Sequence, residues 1–217
     1  MNFSKTQLAG AIAVVSLIVP AAAFAATING GPAGERLRGT NLADTINGNG
    51  GNDRIRGFAG GDRLNGGPGR DRMFGGAGDD AQDGGPGNDR MSGGTGDDAQ
   101  DGGPGNDVIF ANRGVDVSAG GDGDDVLWAL ARADVTPGPN GETDTVGDTL
   151  AGGSGNDVLR TRDGEADTIT CGPGVDRALL DTVDVIADAT ADNPNGSCEI
   201  VKRKAPRTAE GRSEDHG

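Results

Sequence analysis

A period of nine residues constrains this chain more than any other feature. Written in nines from Gly30, the sequence gives eleven consecutive units that end at Trp128. The first position is Gly in ten units, the fourth is Gly in nine, and the sixth is Asp in ten, with Glu35 in its place in the first unit. Three residue classes locked to one period indicate a solenoid, in which each unit buries its apolar residue only by stacking on its neighbours.

Each unit predicts a tight glycine turn, an acid and a short strand with one inward side chain. Glycine suits the turn because the backbone needs positive φ and close approach there. The stretches 75–92 and 93–110 are nearly identical, which indicates a coil of two units. Successive coils should pair as parallel strands about 4.8 Å apart. We therefore predict an all-β fold, a parallel β-roll. Its inward apolar residues occupy the eighth position: Leu37, Ile46, Ile55, Leu64, Met73, Met91, Ile109 and Leu127.

The units resemble the GGxGxDxUx nonapeptides of the repeats-in-toxin family, also called hemolysin-type calcium-binding repeats. Close matches are GGPGRD at Gly66–Asp71, GGPGND at Gly84–Asp89 and at Gly102–Asp107, GGDGDD at Gly120–Asp125, and GGSGND at Gly152–Asp157. The resemblance implies a calcium-binding β-solenoid in which one ion bridges the stacked loops of successive coils.

The chemistry of these loops also favours calcium. Ca²⁺ takes six to eight oxygen ligands from carboxylates and backbone carbonyls, and a glycine turn with an acid offers both. The alternative is a solvated acidic face, but stacked like charges would then repel each other. One His and two Cys are too few for a zinc site. The candidate ligands for several calcium ions are Asp53, Asp62, Asp71, Asp80, Asp89, Asp98, Asp107, Asp116, Asp125 and Asp157.

The two columns of loops along the roll differ in quality. One column holds mostly well-formed loops, while the other includes GTNLAD at Gly39 and ANRGVD at Ala111, which depart from the motif. We therefore expect Asp44 and Asp116 to contribute less than Asp89 to calcium binding.

The inward position of this poorer column becomes polar in mid-chain, at Gln82, Gln100 and Ser118. Buried glutamines can stack as a hydrogen-bonded ladder. Alternatively, a local slip of one residue would turn Ala81 and Ala99 inward.

The first 25 residues predict an export signal. Lys5 is the only charge, residues 8–19 form a short apolar run, and Ala23–Ala25 is a small-residue cleavage site. We expect a secreted, extracellular protein with no membrane span, cleaved near Ala25. An anchor that is never cleaved is the alternative.

The remaining chain divides into four predicted parts. Residues 26–128 form the calcium-binding roll, 129–142 a loop insertion, 143–201 degenerate repeats with a cap, and 202–217 a disordered tail. In an exported chain Cys171 and Cys198 should form a disulfide, which contributes roughly 3 kcal/mol. Two free thiols or an intermolecular bridge are the alternatives.

Charge and motif content limit the function. The mature chain carries 34 acidic against 18 basic residues, which argues against nucleic acid or anionic lipid as partner. The sequence has no HExxH or GxSxG motif and no Cys–His pair, so we do not expect an enzyme. We predict a calcium-binding repeat protein with a structural or matrix role that folds on Ca²⁺. The alternatives are an adhesive or accessory module for an extracellular protein or polysaccharide, and a remnant of a secreted hydrolase or toxin.

One outer sheet face carries the only sequence evidence for such a partner. Its early rungs present a row of arginines, and its late rungs present Val108, Phe110, Val126 and Trp128. An apolar patch of this kind usually marks a docking site. We expect the loop and the segment after Trp128 to cover it; the alternative is a face open to another chain or a ligand. The arginines are Arg36, Arg38, Arg54, Arg56, Arg72 and Arg90.

Overall fold

The computed structural model describes residues 24–129, 147–191, 193 and 195–204, and it confirms the parallel β-roll. Within these residues all regular structure is β-strand, arranged in two nine-stranded parallel sheets. No described helix has the length and apolar character needed to cross a membrane. Sheet A contains β1 (Thr27–Asn29), β3 (Thr45–Asn47), β5 (Arg63–Asn65), β7 (Ala81–Asp83), β9 (Ala99–Pro104), β11 (Val117–Asp122), β13 (Thr149–Ser154), β15 (Thr168–Thr170) and β17 (Val185–Ile186).

The second sheet faces the first across a thin core. Consecutive strands alternate between the sheets, so each strand pairs with the strand two further along the chain. Sheet B contains β2 (Arg36–Arg38), β4 (Arg54–Ala59), β6 (Arg72–Ala77), β8 (Arg90–Thr95), β10 (Val108–Arg113), β12 (Val126–Trp128), β14 (Val158–Thr161), β16 (Arg177–Leu180) and β18 (Ile200–Arg203).

The register confirms the predicted coil of two units. Ile55 pairs with Met73, and Met73 pairs with Met91. The eighth-position side chains face inward as predicted, and Met73 and Met91 are fully buried. Because the core is about one side chain deep per strand, each coil depends on its two neighbours for burial.

The predicted polar ladder is present in sheet A. Gln82, Gln100 and Ser118 are all buried. The Gln100 carboxamide contacts that of Gln82 at 2.9 Å and the Ser118 hydroxyl at 3.0 Å. The alternative slip does not occur, since Ala81 and Ala99 point outward and are exposed.

The roll continues beyond Trp128 after an insertion. Val126 pairs with Val108 on one side and with Val158 on the other, so the insertion lengthens the coil between Val126 and Val158. The next coil is one residue longer than usual, because Val158 pairs with Arg177. Apart from Ala129, the predicted loop 129–142 lies outside the described residues, as does the predicted leader apart from Phe24 and Ala25.

The predicted disulfide joins Cys171 to Cys198, with the two Cα atoms 5.2 Å apart. Both cysteines are buried in the core. The bond ties the end of β15 in sheet A to the segment that leads into β18 in sheet B. It therefore closes the C-terminal end of the roll.

One expectation about the C-terminal region needs correction. The tail was expected to begin at residue 202, but Lys202 and Arg203 pair with β16 as part of β18. The loop and the segment after Trp128 were expected to cover the apolar patch. The loop lies outside the described residues apart from Ala129, while Arg160 of β14 pairs beside Trp128 and extends the sheet. Because β14, β16 and β18 continue sheet B beyond β12, they lie beside the apolar patch and not over it.

Candidate metal centre

The first glycine of each unit makes room for an acid. A Cβ placed on Gly84 would lie 2.6 Å from Oδ2 of Asp89 and 2.5 Å from the carbonyl oxygen of Gly102. Both distances are shorter than real carbon contacts allow. The first position of this unit must therefore be glycine, because the carboxylate of the same unit and the backbone of the next coil leave no room for a side chain there.

The fourth glycine brings backbone carbonyls into the same loops. Gly87 and Gly105 adopt φ of 151° and 150°, a conformation that favours glycine. A Cβ on Gly87 would overlap the carbonyl oxygen of Gly69, and one on Gly105 would overlap that of Gly87. The loops thus stack closely, with a row of carbonyl oxygens running along the roll.

The loop acids form two columns, one preceding each sheet, and we call them column A and column B. In each column the backbone N–H of one acid donates to a carboxylate oxygen of the acid one coil further along, which is Oδ1 in every Asp. Examples are Asp71 N–H to Asp89 Oδ1 at 2.7 Å and Asp80 N–H to Asp98 Oδ1 at 2.8 Å. Column A holds Asp44, Asp62, Asp80, Asp98, Asp116, Asp148, Asp167 and Asp184. Column B holds Glu35, Asp53, Asp71, Asp89, Asp107, Asp125, Asp157, Asp176 and Glu199.

All ten predicted ligands lie in these columns, six in column B and four in column A. Their side chains are at most 2 % exposed. In nine of the ten the second oxygen, Oδ2, is buried and has no hydrogen-bond partner, and the same holds for two further column acids. The acids with such an oxygen are Asp53, Asp62, Asp71, Asp80, Asp89, Asp98, Asp107, Asp125, Asp157, Asp167 and Asp176.

A buried, unpaired carboxylate oxygen is costly, and a row of them is more so. Burial raises the pKa of Asp89 to about 7, with the charges of Asp71 and Asp107 adding to it. Burial likewise raises the pKa of Asp98 to about 8, helped by Asp116 and Asp80. Both shifts mean that the folded roll resists negative charge in its columns. A hard divalent cation held by these oxygens and the nearby carbonyls would remove that resistance, so the residues present fit Ca²⁺.

Asp44 is an exception within column A. Its Oδ2 accepts hydrogen bonds from the backbone N–H and, at 3.0 Å, from the hydroxyl of Thr40. The GTNLAD loop that departs from the motif thus supplies protein donors to an oxygen that lacks them in most other loops. The second departure is at Ala111, which is fully buried where other units have the first glycine, in the loop of Asp116.

The C-terminal end of column A contains a group of acids that the sequence prediction missed. Single carboxylate oxygens of Asp148, Glu165 and Asp167 all lie within 4.8 Å of one another, and the three side chains are buried. Burial raises the pKa of Asp148 to about 10 and that of Asp167 to about 8. The loop sequence RDGEAD at 162–167 lacks the GGxG signature. The one sequence feature that could have indicated this group is the spacing of Asp148 and Asp167, which is one residue longer than a regular coil.

A comparison with protein-family models agrees with this geometry. The model described as RTX calcium-binding nonapeptide repeat (4 copies) matches the chain in overlapping copies at residues 29–57, 38–73, 56–91, 66–100, 83–118, 92–127 and 143–177. A search of curated proteins found no match to the chain.

Proposed function

Since the chain belongs to the family of RTX calcium-binding nonapeptide repeats, we propose that it is a secreted protein that folds on binding several calcium ions. We further propose a structural or matrix role outside the cell. The observation that carries the proposal is the row of buried Oδ2 atoms without hydrogen-bond partners in columns A and B. Ca²⁺ bound there would neutralise the carboxylates and link the loops of successive coils.

Charge supports the dependence of folding on calcium. The mature chain carries 34 acidic against 18 basic residues, and self-repulsion of this size opposes a compact state. The core, about one side chain deep per strand, offsets little of the conformational entropy lost on folding. About eight divalent ions would balance the net charge, and two columns of loops offer about that number of positions.

Secretion is supported by the leader-like first 25 residues and by the disulfide between Cys171 and Cys198. Disulfides persist mainly in oxidising compartments. Calcium affinity should lie in the weak extracellular range, about 10⁻⁴–10⁻³ M per site. A protein of this kind is unfolded where calcium is scarce and folds after export.

The test is far-UV circular dichroism of residues 26–217 during a calcium titration from chelator to roughly 10 mM, above the weak range of affinity. We expect a cooperative change from a largely unfolded to a β-rich spectrum. Magnesium is the matched control and should fail, because it demands a smaller, near-octahedral site. Identical spectra in chelator and in calcium would refute folding on calcium.

A second candidate function is an adhesive module that binds through the outer face of sheet B. The observation that favours it is the row of arginines on this face of an acidic protein.

A further inference from the structure

The outer face of sheet B carries a strip of arginines that the calcium columns do not explain. Four of the six are exposed, and Arg54 and Arg56 are half-buried. No Asp or Glu occupies an outward position, the first or third of a strand's first three residues, on any of the nine described strands of sheet B. The same positions of sheet A have a single arginine, Arg63, and also Asp83 and Asp101. The arginine strip consists of Arg36, Arg38, Arg54, Arg56, Arg72 and Arg90.

The arginines of the strip stack directly on one another. Arg54 pairs in register with Arg36 on one side and with Arg72 on the other, and Arg72 pairs with Arg90. Like charges placed directly opposite on neighbouring strands destabilise a sheet. Repulsion within the strip therefore lowers the stability of the roll, so the strip is better explained by a role in binding than by a role in folding.

The strip has no acidic partner within the described part of the chain. None of its six side chains makes a hydrogen bond or an ion pair with a described residue, and three of them lie against aromatic rings. The guanidinium groups of Arg54 and Arg56 lie 5.7 and 5.5 Å from the ring centre of Phe74. That of Arg90 lies 4.5 Å from the ring centre of Phe110. The donors of the guanidinium groups are thus left available to an anion.

The shape of the face selects the kind of anion. Each strand presents about three residues, so the face is about 10 Å wide, and acidic loops with exposed side chains such as Asp79 and Asp97 border the roll. A nucleic-acid duplex or an anionic membrane is wider than this face and would be repelled by those acids. A single extended anionic polymer is narrow enough to lie along the strip. The arginines of the strip lie on the neighbouring strands β2, β4, β6 and β8. Neighbouring strands are about 4.8 Å apart, which is close to the length of one sugar unit in an extended polysaccharide.

From these observations we propose that the arginine strip binds a carboxylated polysaccharide that runs along the roll axis. Each guanidinium fork matches a carboxylate in bidentate geometry. The ring of Phe74, half-buried between arginines, offers a flat apolar surface to a sugar ring. This inference goes beyond calcium binding and needs only the folded roll, so its experiment is performed on protein whose fold has been checked.

The experiment measures binding of a short oligomer of galacturonic acid to the mature chain in calcium, by calorimetry. A neutral glucose oligomer and a single-stranded oligonucleotide of similar length are compared with it. The strip variant is Arg54→Gln/Arg56→Gln/Arg72→Gln, and the matched control is Arg63→Gln on the outer face of sheet A. The strip variant should fold, since it relieves repulsion between like charges, and circular dichroism verifies this. Arg72→Gln alone replaces it should the triple variant not fold.

We expect the galacturonate oligomer to bind the wild type and Arg63→Gln equally, and to lose at least about tenfold in affinity for the strip variant, a loss of about 1.4 kcal/mol. The glucose oligomer should not bind. Undiminished binding by a folded strip variant would overturn the proposal, because the arginines would then not be the groups that hold the sugar. Failure of the wild type to bind, or tighter binding of the oligonucleotide, would overturn it as well. None of these results alters the calcium titration that tests the proposed function.

Discussion

The backbone N–H of Asp89 donates a 2.7 Å hydrogen bond to Oδ1 of Asp107, one coil further along the roll. The Oδ2 of Asp107 is buried and has no hydrogen-bond partner. One carboxylate therefore joins two coils through one oxygen and leaves the other for a cation. The packing of the roll and its proposed calcium binding depend on the same side chains.

The first prediction compares two acids that differ in this respect. Asp89→Ala removes an unpaired Oδ2 between well-formed loops, and it should raise the calcium midpoint several-fold and lower the cooperativity of folding. Asp44→Ala removes a carboxylate whose Oδ2 is satisfied by Thr40. It should leave the midpoint almost unchanged while lowering the free energy of unfolding in saturating calcium by about 1–3 kcal/mol. Calcium titrations and urea unfolding followed by circular dichroism measure both. Equal shifts in midpoint would contradict the proposed difference between the loops.

The second prediction concerns the buried acids Asp148, Glu165 and Asp167. Asp167→Asn removes one charge from a group whose oxygens lie within 4.8 Å of one another, so the variant should bind one calcium ion fewer at saturation. Equilibrium dialysis with metal analysis gives the stoichiometry. Asp101→Asn, which changes an exposed acid on sheet A, is the matched control and should bind as many ions as the wild type. The same number of ions in all three proteins would exclude a site at Asp167.

The third prediction is that acid partly replaces calcium. Burial raises the pKa of Asp89 to about 7 and of Asp98 to about 8, above the ordinary value near 4. The folded roll therefore binds more protons than the unfolded chain, and its stability rises as the pH falls from about 8 to about 4. In chelator, the far-UV circular dichroism spectrum should therefore gain β-structure as the pH falls over this range. Once the roll is folded, protons compete with calcium for the same oxygens, so the affinity of the folded roll for calcium should fall as the pH falls. A calcium-free spectrum that does not change with pH would show that protons do not stabilise the roll.

The fourth prediction tests the closure of the C-terminal end. The double variant Cys171→Ser/Cys198→Ser should lose roughly 3 kcal/mol of stability, because the disulfide restricts a loop of 27 residues in the unfolded chain. The loss should be concentrated in β15–β18, where amide hydrogen exchange in calcium should accelerate, while exchange in β4–β8 should change little. A reducing agent should have the same effect on the wild type and none on the double variant. Uniform acceleration along the roll would mean that its coils unfold as one unit.

Much of this structure follows from the period of nine. In a solenoid the environment of each residue is set by the residues one coil away, so a repeat in the sequence is also a repeat of contacts. For this reason the inward position of Met73, the alignment of Asp89 with Asp107 and the glutamine ladder could be predicted without coordinates. The pairing of Cys171 with Cys198 followed from the export signal and the count of two cysteines.

The tertiary structure decided the features that depart from the period. Asp148, Glu165 and Asp167 come together in a coil that is one residue longer than the regular ones, and no local motif marks their loop. Likewise, Thr40 satisfies Asp44 through a loop conformation that only the folded backbone reveals. The pairing of β14 beside β12 joins Val126 to Val158 across 32 residues, where a regular coil has 18. Contacts of these kinds join residues at irregular separations, and only packing of the whole chain selects among them.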